Sequence, residues 1–193
     1  MVRAVREVPG GGDRTGGTTP AGEEVDIVLR DGTAMRLRPI RPDDGPGLLA
    51  LYDRLSSESL YFRFFAVPYK DPGKAEYLAH VDYDTRYAVV AEMAGAIAGV
   101  ARWERLADRP GHAEVAFTVA DDLQGRGLGS ALLRRLAVLA RARGITVFEA
   151  EVLKTNERML RVFERSGLAS TTRDQGNVLT ILLTLDRIDS PPA

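Results

Sequence analysis

The stretch VADDLQGRGLGSALLRR, residues 119–135, sets three glycines into five positions and then changes abruptly into leucine, alanine and arginine. Glycine loses more conformational freedom on folding than any other residue, so a cluster of it at the mouth of a helix answers a local demand. After the loop, Leu128, Leu132, Leu136 and Ala140 fall four apart, Leu133, Ala137 and Leu139 lie beside them, and Arg134, Arg135 and Arg141 turn outward. This spacing predicts an amphipathic helix that stops at Gly144. Before the loop, YAVVAEM (87–93), AIAGVARWERL (96–106) and AEVAFTVA (113–120) are rich in β-branched and aromatic residues and joined by short links, the pattern of an antiparallel meander. A meander that runs through a glycine loop into a helix points to an α+β domain on a central sheet.

The flanking segments extend that reading. DIVLRDGTAMRLRPI alternates apolar and polar residues on both sides of Asp31-Gly32, so a strand pair with a two-residue turn is expected. Asp43 and Asp44 precede LLALYDRL at helical spacing, ESLYFRFF continues as a second helix, and KAEYLAHV forms a third. Past the central helix, TVFEAEVL (146–153) reads as a strand, NERMLRVFERS (156–166) as a helix ended by Gly167, and VLTILLTL (178–185) as the last strand. Residues 9–22, PGGGDRTGGTTPAG, hold too little apolar surface to offset their ordering entropy. Residues 1–25 are therefore expected to be a disordered tail, residues 26–186 the folded domain, and residues 187–193 a C-terminal tail.

Composition narrows the chemistry. A chain of 193 residues, 45% hydrophobic and 27% charged, suits one domain with one core. Its 26 lysines and arginines nearly cancel 27 aspartates and glutamates, so no bulk field holds nucleic acid or an anionic membrane, and neither partner is expected. Any anion site is local. The absence of cysteine excludes disulfides, thiolate zinc sites and a cysteine acyl-enzyme. His80 and His112 stand alone without ligand spacing, so no metal is expected. No apolar run has the length of a signal peptide core or a membrane span, and a cytoplasmic location is expected.

Three phosphate-loop patterns compete for the glycines. A Walker loop needs a Lys-Ser/Thr pair after its final glycine, but Ser130 and Ala131 follow Gly129. A dinucleotide fingerprint needs glycine-x-glycine-x-x-glycine, yet counting from Gly125 reaches Ser130 and from Gly127 reaches Leu132. What remains is Gln124-x-x-Gly127-x-Gly129 between a strand and a helix, where consecutive N–H groups and the helix dipole can face a phosphate and Arg126 can add a charge-assisted bond. An ordinary glycine-rich turn is the alternative.

LQGRGLGSALL resembles the coenzyme-A pyrophosphate loop of the GCN5-related N-acetyltransferases (GNAT), and NERMLRVFERSGL resembles their following motif, an asparagine opening a helix that ends in glycine. LRDGTAMRLRPIRPDD and LSSESLYFRFF further resemble bacterial protein-lysine acetyltransferases of the Pat type. The resemblance spans about residues 26–186. Some relatives of that type are regulated by a cyclic-nucleotide domain, which does not fit in this chain, so such direct regulation is not expected.

The resemblance implies a GNAT fold: a mixed, mostly antiparallel sheet flanked by helices, in which strands 4 and 5 of the family's counting, here AEVAFTVA and TVFEAEVL, splay around the pantetheine arm. It implies acetyl-CoA as co-substrate, held by backbone groups of Phe117, Thr118 and Val119, by Gln124, Gly125, Arg126, Gly127, Leu128, Gly129 and Ser130 around the pyrophosphate, and by Asn156 near the arm. A backbone N–H near Val119 would hold the oxyanion. It also implies an acceptor lysine on a protein partner.

That amine, with a reference pKa of about 10.4, must lose a proton before it attacks. On residues 113–120, Glu114, Ala116 and Thr118 share one face and Val115, Phe117 and Val119 the other, so Glu114 is a lone carboxylate among small side chains. By its position in AEVAF, Glu114 matches the family's catalytic glutamate; a solvated strand-end glutamate is the alternative. Glu149 and Glu151 are expected on a wet face, Asp121 and Asp122 in a turn awkward for a base, and Trp103 in packing. Many relatives carry a tyrosine acid seven residues after the motif asparagine; Phe163 occupies that place and has no proton to give. The expected function is acetyl transfer to a protein lysine by direct attack with Glu114 as general base. A small-amine acetyltransferase or a non-catalytic acyl-CoA sensor are the alternatives, and the assembly state is left open.

Overall fold

The computed structural model describes residues 17–64 and 71–185. Its strands are β1 (Val25–Val28), β2 (Ala34–Pro39), β3 (Arg86–Met93), β4 (Ala96–Arg105), β5 (His112–Val119), β6 (Val147–Leu153), β7 (Ala169–Gln175) and β8 (Val178–Thr184). Its helices are α1 (Gly45–Asp53), α2 (Ser57–Phe64), α3 (Pro72–Ala79), α4 (Leu128–Ala142) and α5 (Glu157–Glu164). The strands form one sheet in the order β1-β2-β3-β4-β5-β6-β8-β7. Every neighbouring pair is antiparallel except β5 and β6, so the sheet is mixed and mostly antiparallel as expected.

Side-chain alternation along β5 assigns the helices to faces. Phe117 meets Phe163 of α5 edge-on at 6.0 Å, whereas Glu114, three residues away and so on the opposite face, feels Arg63 of α2. Helix α4 packs on β3, β4 and β5 beside α5, burying Leu128, Leu132, Leu133, Leu136, Ala137, Leu139 and Ala140, the stripe its spacing predicts. Gly99 lets α4 approach: a Cβ there would sit 3.2 Å from Leu132 and 3.1 Å from the Thr118 carbonyl. The other face carries α1 to α3. Trp103 is buried in packing, stacked on Tyr87 with ring centroids 4.5 Å apart. No helix among the described residues is long and apolar enough to cross a membrane.

Three features depart from the sequence expectations. The chain between α5 and β8 forms a strand, β7, exposed at every position. ASTTRDQ shows no apolar alternation, because β7 is held by its ladder to β8 and not by burial; the signal for it is the Gly176-Asn177 dipeptide, a hairpin-turn pair. The β1–β2 connection is a three-residue loop, Arg30 to Gly32, closed by Leu29 N–H to the Thr33 carbonyl at 2.8 Å. Only Gly32 takes a positive φ there, 86°, which fits a turn followed by a left-handed residue better than the two-residue form.

The third departure is the N-terminal segment. Residues 17–25, expected to be disordered, are docked: Gly17 N–H bonds the Val81 carbonyl at 3.1 Å and Thr19 Oγ1 lies 2.9 Å from the Tyr83 hydroxyl. Glu23 pairs with Arg143 at 2.7 Å and also accepts from the buried Tyr87 hydroxyl. These partners lie far along the chain, so local composition carries no trace of them. Residues 1–16 of that tail, and the C-terminal tail 187–193, lie outside the described residues.

Candidate active site

The site begins where the parallel ladder stops. Strands β5 and β6 pair only through His112↔Val147, Ala113↔Phe148 and Glu114↔Glu149. Beyond Glu114, β5 stays with β4 and β6 stays with β8, so the two strands part. Backbone alternation decides what faces the gap. Leu106 N–H bonds the His112 carbonyl and Ala120 N–H bonds the Ala98 carbonyl; residues 112, 114, 116, 118 and 120 therefore spend their backbone groups on β4, and Val115, Phe117 and Val119 turn theirs toward β6. The expected backbone role thus suits Phe117 and Val119, while the N–H and C=O of Thr118 turn toward Val100.

The gap opens into a cleft of about 410 Å³. Its floor is β5 and β6, one wall is α2 through Ser59, Phe62 and Arg63, and the other is α5 through Asn156, Met159 and Phe163. At one end lies the glycine loop. Gly125 and Gly127 hold positive φ angles of 77° and 100°, which a side chain would strain. Gly127 is the N-cap of α4 and makes no side-chain cap, so the first N–H groups of the helix have no capping partner among the described residues. Gly129 serves packing instead, since a Cβ there would come within 3.3 Å of Val162 on α5.

Most of the residues named from sequence meet in this cleft. Glu114, Phe117, Thr118, Val119, Gln124, Gly125, Gly127, Gly129, Ser130 and Asn156 all line it. Arg126 and Leu128 do not. Arg126 turns away to pair with Asp31 at 2.9 Å, and Leu128 is buried under α4 as a core residue. Asn156 caps α5 by accepting from Met159 N–H at 3.1 Å.

Gln124 is a hub. Its amide donates to the Val119 carbonyl (3.1 Å), Asp121 (2.9 Å) and Ser59 (3.2 Å), and its oxygen accepts from Arg158 (2.6 Å). Asp121 in turn accepts from Ser59 Oγ (2.6 Å) and Ser56 N–H (2.8 Å). Burial alone would raise its pKa, but the hydrogen bonds from Ser59 and Ser56 outweigh it and hold the carboxyl below its ordinary value. It is a fixed acceptor that ties α2 to the loop, not a base.

Glu114 has the opposite electrostatics. Its side chain is exposed in the cleft mouth, yet the surrounding walls desolvate it, and Glu151, Glu104 and Glu149 repel its charge; together these raise its pKa against the pull of Arg63. Glu149, expected on a wet face, is 7% exposed. Arg109 Nη1 donates to both its oxygens at 2.6 Å and His112 Nδ1 lies 2.7 Å from Oε1, so the strand pairing places an ion-paired carboxylate there and leaves His112 partnered. Phe163 is buried, and its ring supplies no acid.

Sequence reasoning missed the cationic rim. Arg158 and Arg161 of α5 and Arg165 at its C-cap line the cleft, and so does Arg30 from the β1–β2 loop. The first three show in NERMLRVFERS as basic residues recurring along one side of a helix; Arg30 carries no local signal.

Comparison with known proteins agrees with this geometry. Residues 53–168 match the sequence profile of the Acetyltransferase (GNAT) family. The chain belongs to the GNAT acetyltransferase family. Over 170 residues it is 38% identical to the acetyltransferase Pat of Mycolicibacterium smegmatis, covering 87% of this chain and 49% of that protein. The chain thus spans about half the length of that relative. The crystal structure of the GNAT domain of S. lividans PAT superposes with a TM-score of 0.80 at 38% identity, covering 86% of this chain and 99% of that one. A Salmonella typhimurium protein solved with its cofactor acetyl-CoA shares the fold, with a TM-score of 0.64 at 21% identity over 82% of this chain and 98% of that one. In this GNAT domain the parted strands are β5 and β6, one later than in the family's counting.

Proposed function

We propose that the protein is an acetyl-CoA-dependent N-acetyltransferase whose acceptor is a lysine ε-amine on a protein. The observation that carries the reading is the shared cleft: an uncapped, glycine-lined helix start at one end and a carboxyl with a raised pKa at the other, joined by the gap where the β5–β6 ladder stops. Likeness to Pat and to the S. lividans GNAT domain supports a protein acceptor.

In this reading the pyrophosphate of acetyl-CoA lies on the N–H groups around Gly125 to Ser130, and the pantetheine arm runs along Phe117 and Val119. The amine enters from the α2 side, on the face that carries Glu114, and gives up a proton to that carboxylate directly or through a water. The free amine adds to the thioester carbonyl. A β5 N–H beside the gap, such as that of Val119, holds the oxyanion; the attacking nitrogen gives its second proton to water, and the C–S bond breaks to leave the amide and the coenzyme thiolate. The thiolate leaves with solvent supplying its proton, so this reading asks no acid of Phe163, which has none to give.

The test is Glu114→Gln. Turnover falls roughly a hundredfold or more while acetyl-CoA affinity is kept; near-normal turnover removes Glu114 from the mechanism. One observation favours a second reading, a small cationic amine: Glu104, Glu114 and Glu151 cluster on one face, a charge that also attracts a diamine. Acetylation of a protein panel and an amine panel by the purified chain separates the two.

A further inference from the structure

The β1–β2 loop does not end in solvent; it leans on the glycine loop. Asp31 grips Arg126 at 2.9 Å across 95 residues of sequence. Asp31 also accepts from Thr33 N–H at 3.0 Å, and Leu29 beneath it is buried, so the turn is rigid and anchored at both ends. The side chain of Arg30 then runs alongside Gly127: a Cβ built on that glycine would lie 3.8 Å from Arg30 Nε and 3.9 Å from its Cγ. Arg30 is exposed and lines the cleft, beside the uncapped start of α4.

Two other cations of the rim are already engaged. Arg161 pairs with Glu157 at 3.1 Å and Arg158 is spent on Gln124. Arg30 makes no ion pair or side-chain hydrogen bond among the described residues. An unpaired guanidinium held over helix N–H groups is a donor fork that matches a phosphate.

We propose that the β1–β2 loop is part of the coenzyme site: Arg30 binds a phosphate of the acyl-CoA, and the Asp31–Arg126 ion pair is the positioning contact that keeps it over Gly127. This rests on the reading that acyl-CoA occupies the cleft. The pyrophosphate and the 3′-phosphate offer the same chemistry, and the experiment distinguishes them.

Calorimetric titrations with acetyl-CoA and with 3′-dephospho-acetyl-CoA test the proposal on wild-type protein, Arg30→Ala and Asp31→Asn. Arg30→Ala weakens acetyl-CoA binding about tenfold or more, the loss of one charge-assisted bond. If that loss persists with the dephospho form, Arg30 is on the pyrophosphate; if it vanishes, on the 3′-phosphate. Asp31→Asn keeps the turn's acceptor for Thr33 and removes an anion from an anion site, so simple electrostatics predicts tighter binding. The anchoring role predicts the opposite, a weakening of about threefold. Wild-type heat with unchanged Arg30→Ala affinity overturns the proposal alone, as does tighter binding by Asp31→Asn for the anchor. No heat with wild type would instead overturn the acyl-CoA reading itself.

Discussion

Glu114 stands opposite Glu149 at the last bridge between β5 and β6, and the two carboxylates meet opposite surroundings. Glu149 is enclosed by Arg109 and His112, while Glu114 faces the cleft, where desolvation first and then the charges of Glu151, Glu104 and Glu149 raise its pKa. The parallel ladder thus ends on an ion-paired carboxylate and one with a raised pKa. That contrast yields a signed pH dependence. The proposed general base works only when deprotonated, so in that role Glu114 makes kcat/KM fall as pH drops through its raised pKa, and the acidic limb lies above the ordinary glutamate value of about 4.3. Glu151→Gln removes the largest repelling charge and moves that limb to lower pH, as a pH–rate profile will show.

Glu149→Ala strips the acceptor from Arg109 and His112. Because Arg109 is half-exposed and recovers water, the cost is about 1–2 kcal/mol and not the larger penalty of a sealed pair. Thermal unfolding should show a fall in Tm of a few degrees.

Gly127→Ala forces a side chain into a φ of 100°, costing about 1–2 kcal/mol of stability and weakening coenzyme binding in the same titration. Gly129→Ala acts differently, through the 3.3 Å approach to Val162. A second change, Val162→Ala, restores the affinity lost in Gly129→Ala and does nothing for Gly127→Ala.

Gln124→Ala breaks the links among β5, Asp121, α2 and α5 at once. Both cleft walls loosen, so KM rises about tenfold for coenzyme and acceptor together, a pattern steady-state kinetics separates from loss of a phosphate ligand alone.

What the sequence discloses follows from distance along the chain. The meander, the α4 stripe and the demand for bare backbone at Gly125 and Gly127 are periodic or local, and the structure shows them where the residues point. Glu149 reads as a wet strand residue because its partner Arg109 is 40 positions away. The docking of residues 17–25 and the reach of Arg30 to Gly127 are hidden for the same reason. Strand β7 is hidden because an edge strand with no buried face leaves no hydrophobic pattern.

The most direct test is a crystal structure with acetyl-CoA bound. The account predicts the pyrophosphate on the N–H groups of residues 125–130, the arm between Val119 and Val152, and the thioester on the side of Glu114. Coenzyme bound elsewhere, or a glycine loop closed over an empty gap at saturating acetyl-CoA, would contradict it.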